Sequence, residues 1–307
     1  MPLSMFACAN CGFWQRHFAP AACPVCEDVR NDLPEDGWRF LPEADVRATH
    51  AGGWRRVRDD MLAFATTPAL GLAGTGWLLL DAEHGNTAFE AAPFYSPAML
   101  DEIARLGGIS HLSCSHVHGM GALWQLQEAF APAVVAVNVH DLQLTKAFRV
   151  THPYDETLRL TPTLTLHRVG GHYQGQAALH DARRRLLFCG DMFKVEQTAG
   201  GRSTAISAHW AFHKAIPLTQ AQLRGYRDVI AGLEFDGIAT PFEYAPDVGR
   251  AQALAAVDAW LADGPGIRRY DLTAGRVANT DDPAAAAPRE ATPPRAGQGR
   301  VGKAARS

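Results

Sequence analysis

Two Cys-x-x-Cys pairs, Cys8/Cys11 and Cys23/Cys26, open a chain of 307 residues, with eleven residues between them. A tetrahedral thiolate site needs this arrangement: each pair curls so that its backbone amides face the sulfurs, and two such loops close around one ion. Residues 1–40 hold several prolines and little periodicity, too little to bury a core unaided, so a metal is expected to hold this segment together. Zinc in a structural role and redox-active iron both suit four thiolates, and spacing does not separate them. Met1–Ala7 lacks a basic stretch followed by a long apolar one, so no secretory signal is expected. The most apolar run, Pro68–Leu80, is interrupted by Gly71, Gly74 and Gly76 and falls short of the roughly 20 residues that span a bilayer. A cytoplasmic protein is expected, and in a reducing compartment close cysteine pairs are metal ligands rather than disulfides. Cys114 and Cys189 fall in predicted strands and read as small buried hydrophobes.

Composition divides the rest. With 47% hydrophobic and 20% charged residues the chain reads as globular, and its net charge of −3 argues against a nucleic-acid partner held by bulk charge. Residues 41–265 alternate predicted strands and helices, whereas 266–307 decay into Pro-Ala-Gly-Arg sequence expected to be largely disordered, with a protein partner for knuckle or tail left open. In the middle part, Gly76–Leu80 and Thr87–Phe94 flank His84-Gly85-Asn86 and predict a hairpin. Pro97–Leu106, closed by Gly107-Gly108, predicts a helix. A strand at 109–115, a helix at 122–130, strands at 134–139, 158–160, 164–169, 176–180, 185–189 and 237–239, and helices at 218–233 and 248–261 complete the pattern.

Thirteen histidines are present, and several crowd the second third of the chain. In Ser115-His116-Val117-His118-Gly119-Met120-Gly121, side chains two apart in an extended segment share a face, so His116 and His118 can converge on one ion. Gly170-Gly171-His172 follows at a glycine turn, and Gly190-Asp191 at a strand end supplies a carboxylate. The order of these pieces resembles the metallo-β-lactamase fold superfamily over about residues 55 to 262, and Cys23-Pro24-Val25-Cys26 resembles the second knuckle of rubredoxins and rubredoxin-like zinc ribbons.

That resemblance implies an αββα sandwich behind a small four-cysteine knuckle. It implies a three-histidine metal site at His116, His118 and His172, with Asp191 as a further ligand or as the base that aligns water. The core ion is expected to be zinc, with iron an alternative; the knuckle ion is zinc or iron. Three departures concern the second metal of the superfamily: Met120 stands where its motif has aspartate, Gly121 where it has histidine, and Thr240-Pro241-Phe242-Glu243-Tyr244 where a last histidine is expected. His209, Trp210 and His213 could replace the missing ligands, line a substrate pocket, or lie on uninvolved surface. The expected activity is that of a mononuclear metal-dependent hydrolase, a metal-bound hydroxide attacking an ester, thioester, amide or lactone bond of a small-molecule substrate. A non-catalytic metal-binding partner module and an iron-dependent redox protein are the alternatives.

Overall fold

The computed structural model describes residues 3–28, 34–208, 218–263 and 269–278. Strands β1 (Ser4–Cys8), β2 (Trp14–His17) and β3 (Phe40–Pro42) form an antiparallel sheet in the order β2-β1-β3, which carries Cys8 at the end of its central strand. Helix α1 (Glu43–Thr49) follows and buries Val46 in the core beneath it. The knuckle sheet is therefore completed by residues 40–42, just past the boundary expected at 40.

A seven-stranded sheet comes next, built in chain order from β4 (Ala51–Arg58), β5 (Met61–Thr67), β6 (Gly76–Leu79), β7 (Thr87–Phe89), β8 (His111–Ser113), β9 (Val134–Asn138) and β10 (His152–Tyr154). Strands β4 to β7 pair antiparallel through short turns. From β7 onward the pairing is parallel, with α2 (Pro97–Arg105) in the β7–β8 crossover, α3 (Leu123–Phe130) in the β8–β9 crossover and a 3₁₀ segment, Val139–Leu144, between β9 and β10. Helix α2 starts with Pro97 behind Ser96, where a missing amide proton costs nothing, and the chain turns away at Gly107 and Gly108, both with positive φ.

Strands β11 (Thr157–Arg159), β12 (Leu164–Arg168), β13 (Ala177–Asp181) and β14 (Leu186–Phe188) begin a second sheet. The hairpin β15 (Lys194–Gln197)–β16 (Ser203–Ser207) leads on to α4 (Gln220–Ala231), which opens on a reciprocal cap between Thr219 and Gln222. Then come β17 (Gly237–Ala239), β18 (Tyr244–Ala245), α5 (Arg250–Asp263) and the hairpin β19 (Arg269–Asp271)–β20 (Arg276–Ala278). The second sheet has the order β11-β12-β13-β14-β17-β18, and β19 pairs with β16 in a four-stranded sheet. Ordered structure thus extends past 265, where the tail was expected to begin.

The period-two alternation of strand side chains sorts the core into layers. Met61, Ala63, Trp77, Leu79 and Phe89 face Leu164, Leu166, Leu179, Leu186 and Phe188 between the two sheets. Leu62, Phe64, Leu78, Leu112 and Val135 point the other way, onto Met99, Ile103, Leu123 and Leu126 of α2 and α3. Leu187 and Ile238 point outward from the second sheet onto Leu223, Tyr226, Ile230, Val257 and Trp260 of α4 and α5. Helix, sheet, sheet, helix is the expected αββα sandwich.

The knuckle is part of this body. Its Ala7, Phe13, Trp14 and Val25 join the helical side of the first sheet in one continuous core. Trp14 Nε1 donates to the Pro93 carbonyl at 2.7 Å, and its ring meets Trp124 edge-on at 5.3 Å.

One buried ionic group ties the sheets together at the end opposite the histidine turns. Arg184 donates to Asp181 Oδ2 at 2.6 Å and to the Leu80 and Asp60 carbonyls at 2.6 and 3.1 Å. Arg184→Ala strands a fully buried Asp181 carboxylate and should lower stability by about 3–5 kcal/mol, read as a drop in the urea midpoint. A loss below about 1 kcal/mol, the range of an exposed pair, would show that the bridge does not join the layers.

Candidate metal centres

The knuckle sulfurs come together as backbone turns dictate. The Gly12 amide donates to the Cys8 carbonyl at 2.8 Å and the Glu27 amide to the Cys23 carbonyl at 3.0 Å, so each pair closes a tight loop. Cys8 and Cys26 Sγ are 3.8 Å apart, and Cys11 and Cys23 Sγ 3.7 Å. A tetrahedron with metal–sulfur bonds of about 2.3 Å has edges of about 3.8 Å, whereas a disulfide would need about 2.05 Å. The donor set and spacing fit one four-coordinate ion, and Asn10 Nδ2 donates to Cys26 Sγ at 3.3 Å.

The second cluster is assembled from strand ends of both sheets. Beyond β8 the chain runs fully extended through His116 (φ −164°, ψ −170°) before a 3₁₀ turn over Val117–Met120. His172 sits on the glycine turn between β12 and β13, and Asp191 follows β14. The Ala177 amide donates to the Ser115 carbonyl at 2.8 Å, joining the two sheets at this point. His116 Nε2 lies 3.2 Å from His118 Nδ1 and 3.1 Å from Asp191 Oδ2, and His172 Nε2 lies 3.4 Å from the same oxygen. Bonds of about 2.0–2.1 Å to a tetrahedral ion give edges of about 3.3–3.4 Å, which these separations match.

Burial sharpens the fit. His116, His172 and Asp191 are at most 3% exposed, and Asp191 Oδ1 has no hydrogen-bond partner among the described residues. A buried carboxylate in that position calls for a cation. Burial pushes the Asp191 carboxyl up, but His116 and His172 outweigh it and hold the group well below the ordinary carboxylate range. Further contacts orient the ligands: Ser115 Oγ lies 2.8 Å from His116 Nδ1, and the His172 amide donates to the Tyr226 hydroxyl at 3.3 Å. Tyr173 packs its ring 5.2 Å from that of His116 and 4.9 Å from that of His172.

Glu90 was not singled out in the sequence, although an acid inside the apolar stretch from Ala88 to Tyr95 is the signal that could have found it. It follows β7 at φ +60°, is 2% exposed, and accepts from the Ser115 amide at 3.1 Å. Burial pushes its carboxyl up to about 7 despite the pull of His116. A β-carbon at Gly119 would lie 1.6 Å from Glu90 Oε2, so the carboxylate fills the space under the histidine turn that glycine leaves.

The departures noted in the sequence have physical counterparts. Met120 is 2% exposed and joins the core against the first sheet. Gly121 adopts φ +37°, and a β-carbon there would lie 2.3 Å from the Ala91 carbonyl oxygen, so no side chain fits where a histidine would stand. Glu243 is engaged by the Thr240 hydroxyl at 2.5 Å. Among the described residues, the groups able to hold an ion are the four cysteines and the His116, His118, His172, Asp191 set. His209, Trp210 and His213 lie outside the described residues. His111 and His180 have local partners instead, Thr87 Oγ1 at 3.3 Å and the Glu234 carbonyl at 2.9 Å.

No protein-family model matches the chain. It is 25% identical over 249 residues to the uncharacterized protein YmaE of Bacillus subtilis, covering 77% of this chain and 88% of that one. Among solved structures, TMB-1 superposes with a TM-score of 0.52 at 8% identity, covering 68% of this chain and 97% of that one. VMB-1 gives 0.50 at 10% identity over 67% and 96%. The chain has the metallo-β-lactamase fold. The flavodiiron protein of Giardia intestinalis, a longer chain with the same fold, gives 0.50 at 14% identity over 69% of this chain and 60% of its own length. Within this fold the four converging residues stand at strand ends on one edge of the sandwich, and the knuckle lies on the helical side of the first sheet.

Two separate donor sets predict two metal equivalents per chain by elemental analysis. Cys23→Ser should remove one and leave the other, and His172→Ala should do the converse. Loss of both ions from either variant would contradict separate sites.

Proposed function

We propose that this protein is a mononuclear metal-dependent hydrolase that cleaves an ester, thioester, amide or lactone bond in a small molecule. One observation carries the reading: three imidazoles and a buried carboxylate converge at ligand spacing, while the positions that would serve a second ion are taken by a core methionine and a glycine without room for a side chain. The proposed ligands are His116, His118, His172 and Asp191. Zinc and ferrous iron both accept this donor set. When bound, such an ion supplies Lewis acidity and lowers the pKa of a water to about 7.

The chain's own groups set the rest. Ser115 and Glu90 hold the His116 turn, and Tyr226 holds the backbone of His172, so the imidazoles are oriented before a substrate arrives. Asp191 Oδ2 faces the imidazole nitrogens, which leaves Oδ1 to accept a hydrogen bond from the attacking water. A carboxylate that also serves as a metal ligand through Oδ2 would be a weak base, so Oδ1 would orient the water rather than remove its proton outright. His118, half-buried where the other two histidines are buried, stands at the open side where the scissile carbonyl would approach.

His116→Ala should abolish both core metal binding and turnover of model esters and thioesters; surviving activity would defeat the assignment. Asp191→Asn keeps the shape and removes the charge. It should weaken the core ion about 10- to 100-fold and cut turnover by at least about 100-fold even at saturating metal. An Asp191→Asn enzyme that regains full turnover once metal is supplied would restrict Asp191 to ion binding.

A further inference from the structure

The cleft that opens beside the core site is shared with the knuckle. His118 and Asp191 form its inner end. Its other walls include Cys11 and Gly12 of the knuckle, Leu72 of the β5–β6 loop, Pro93, and the Pro241-Phe242 pair after β17. Apart from His118, Asp191 and the Cys11 sulfur, no described lining residue carries an ionisable side chain, and none is a lysine or arginine that would pair an anionic group on a ligand.

Knuckle and loop are seated on one another backbone to backbone. A β-carbon at Gly71 would lie 2.1 Å from the Gly12 nitrogen, so the loop that presents Leu72 rests directly on the turn closed by Cys8 and Cys11. Cys11 is 9% exposed whereas Cys8, Cys23 and Cys26 are at most 1% exposed, and Cys11 is the knuckle ligand that reaches the cleft. Leu72 is 38% exposed, a large apolar side chain at the mouth of an apolar space beside the proposed reacting centre.

We infer that this cleft is an acyl pocket with the four-cysteine centre as its outer wall, and that it takes the uncharged aliphatic part of an ester or thioester. The inference deepens the hydrolase reading and rests on its core metal site. The knuckle ion then has a function beyond folding its own segment: by holding the Cys8–Gly12 turn it holds the Leu72 loop that rests on that turn.

Straight-chain hydroxamic acids test this without turnover, because their head group binds a metal ion and their tail samples the pocket. With wild-type protein carrying both ions, calorimetric affinity should rise from acetyl to hexanoyl by about fourfold per methylene, equivalent to about 0.8 kcal/mol each. A terminal carboxylate, as in adipic monohydroxamic acid, should cancel that gain. Leu72→Ser should reduce the hexanoyl-to-acetyl affinity ratio at least about fourfold, the worth of one buried methylene. Cys26→Ser, retaining its core ion and its circular dichroism, should flatten the series further. A flat wild-type series, absence of binding, or unchanged ratios in Leu72→Ser would overturn the proposal; an unchanged ratio in folded Cys26→Ser would overturn the part given to the knuckle. Rising affinity in a protein that hydrolyses no ester, thioester, amide or lactone would sink the hydrolase reading while leaving the pocket standing. Turnover with a flat series would do the reverse.

Discussion

Asp191 puts a carboxylate only 3% exposed to solvent against the imidazoles of His116 and His172, with its second oxygen lacking any hydrogen-bond partner among the described residues. Such a group is expensive unless a cation compensates it, and the arrangement around it follows from that constraint. Its neighbours are imidazole nitrogens at the edge lengths of a tetrahedron, His116 and His118 arriving after β8 of the first sheet, and His172 and Asp191 from the turns after β12 and β14 of the second. Both sheets must therefore be stacked in register before the site exists. The hydrogen bond from Ala177 to the Ser115 carbonyl joins the sheets at that point, and the buried Glu90 holds the histidine turn onto the first sheet.

The same logic applies to the knuckle at smaller scale. Its sheet has three short strands, and its apolar residues do not form a core of their own: Trp14 and its neighbours complete the helical side of the first sheet. The shared core supplies the apolar surface the segment lacks, and its four cysteines stand where a thiolate-bound ion would complete the solution. Because the two were solved on one face, the turn that carries Cys11 and Gly12 also borders the cleft in front of His118 and Asp191. A segment that reads as a separate module is in this way a neighbour of the histidine–aspartate cluster.

Much of this was legible from local pattern. The His84-Gly85-Asn86 hairpin, the helix from Pro97 closed by glycines, and the strands before His116 and Asp191 all stand where turn chemistry and periodicity put them. What was missed depends on partners distant in the chain. The β19–β20 hairpin carries little apolar sequence and is ordered by pairing with β16, so composition alone assigned it to a disordered end. Glu90 has no motif around it; its burial follows from the histidine turn folding back over β7, 25 residues before Ser115.

Residue type and spacing by themselves pointed to two candidate donor sets, two cysteine pairs and a group of histidines with an aspartate, and the resemblance to the metallo-β-lactamase superfamily marked Met120 and Gly121 as departures from its second set. Those are properties of short segments, whose geometry is set by a few backbone torsions. Only the tertiary structure decided that the knuckle shares a core and a cleft with the second centre, that Gly121 has no room for a side chain, and that Glu90 supports the histidines. Each of these is a matter of distance between segments far apart in sequence, and such distances are set by how the sheets and helices bury their faces rather than by any local pattern.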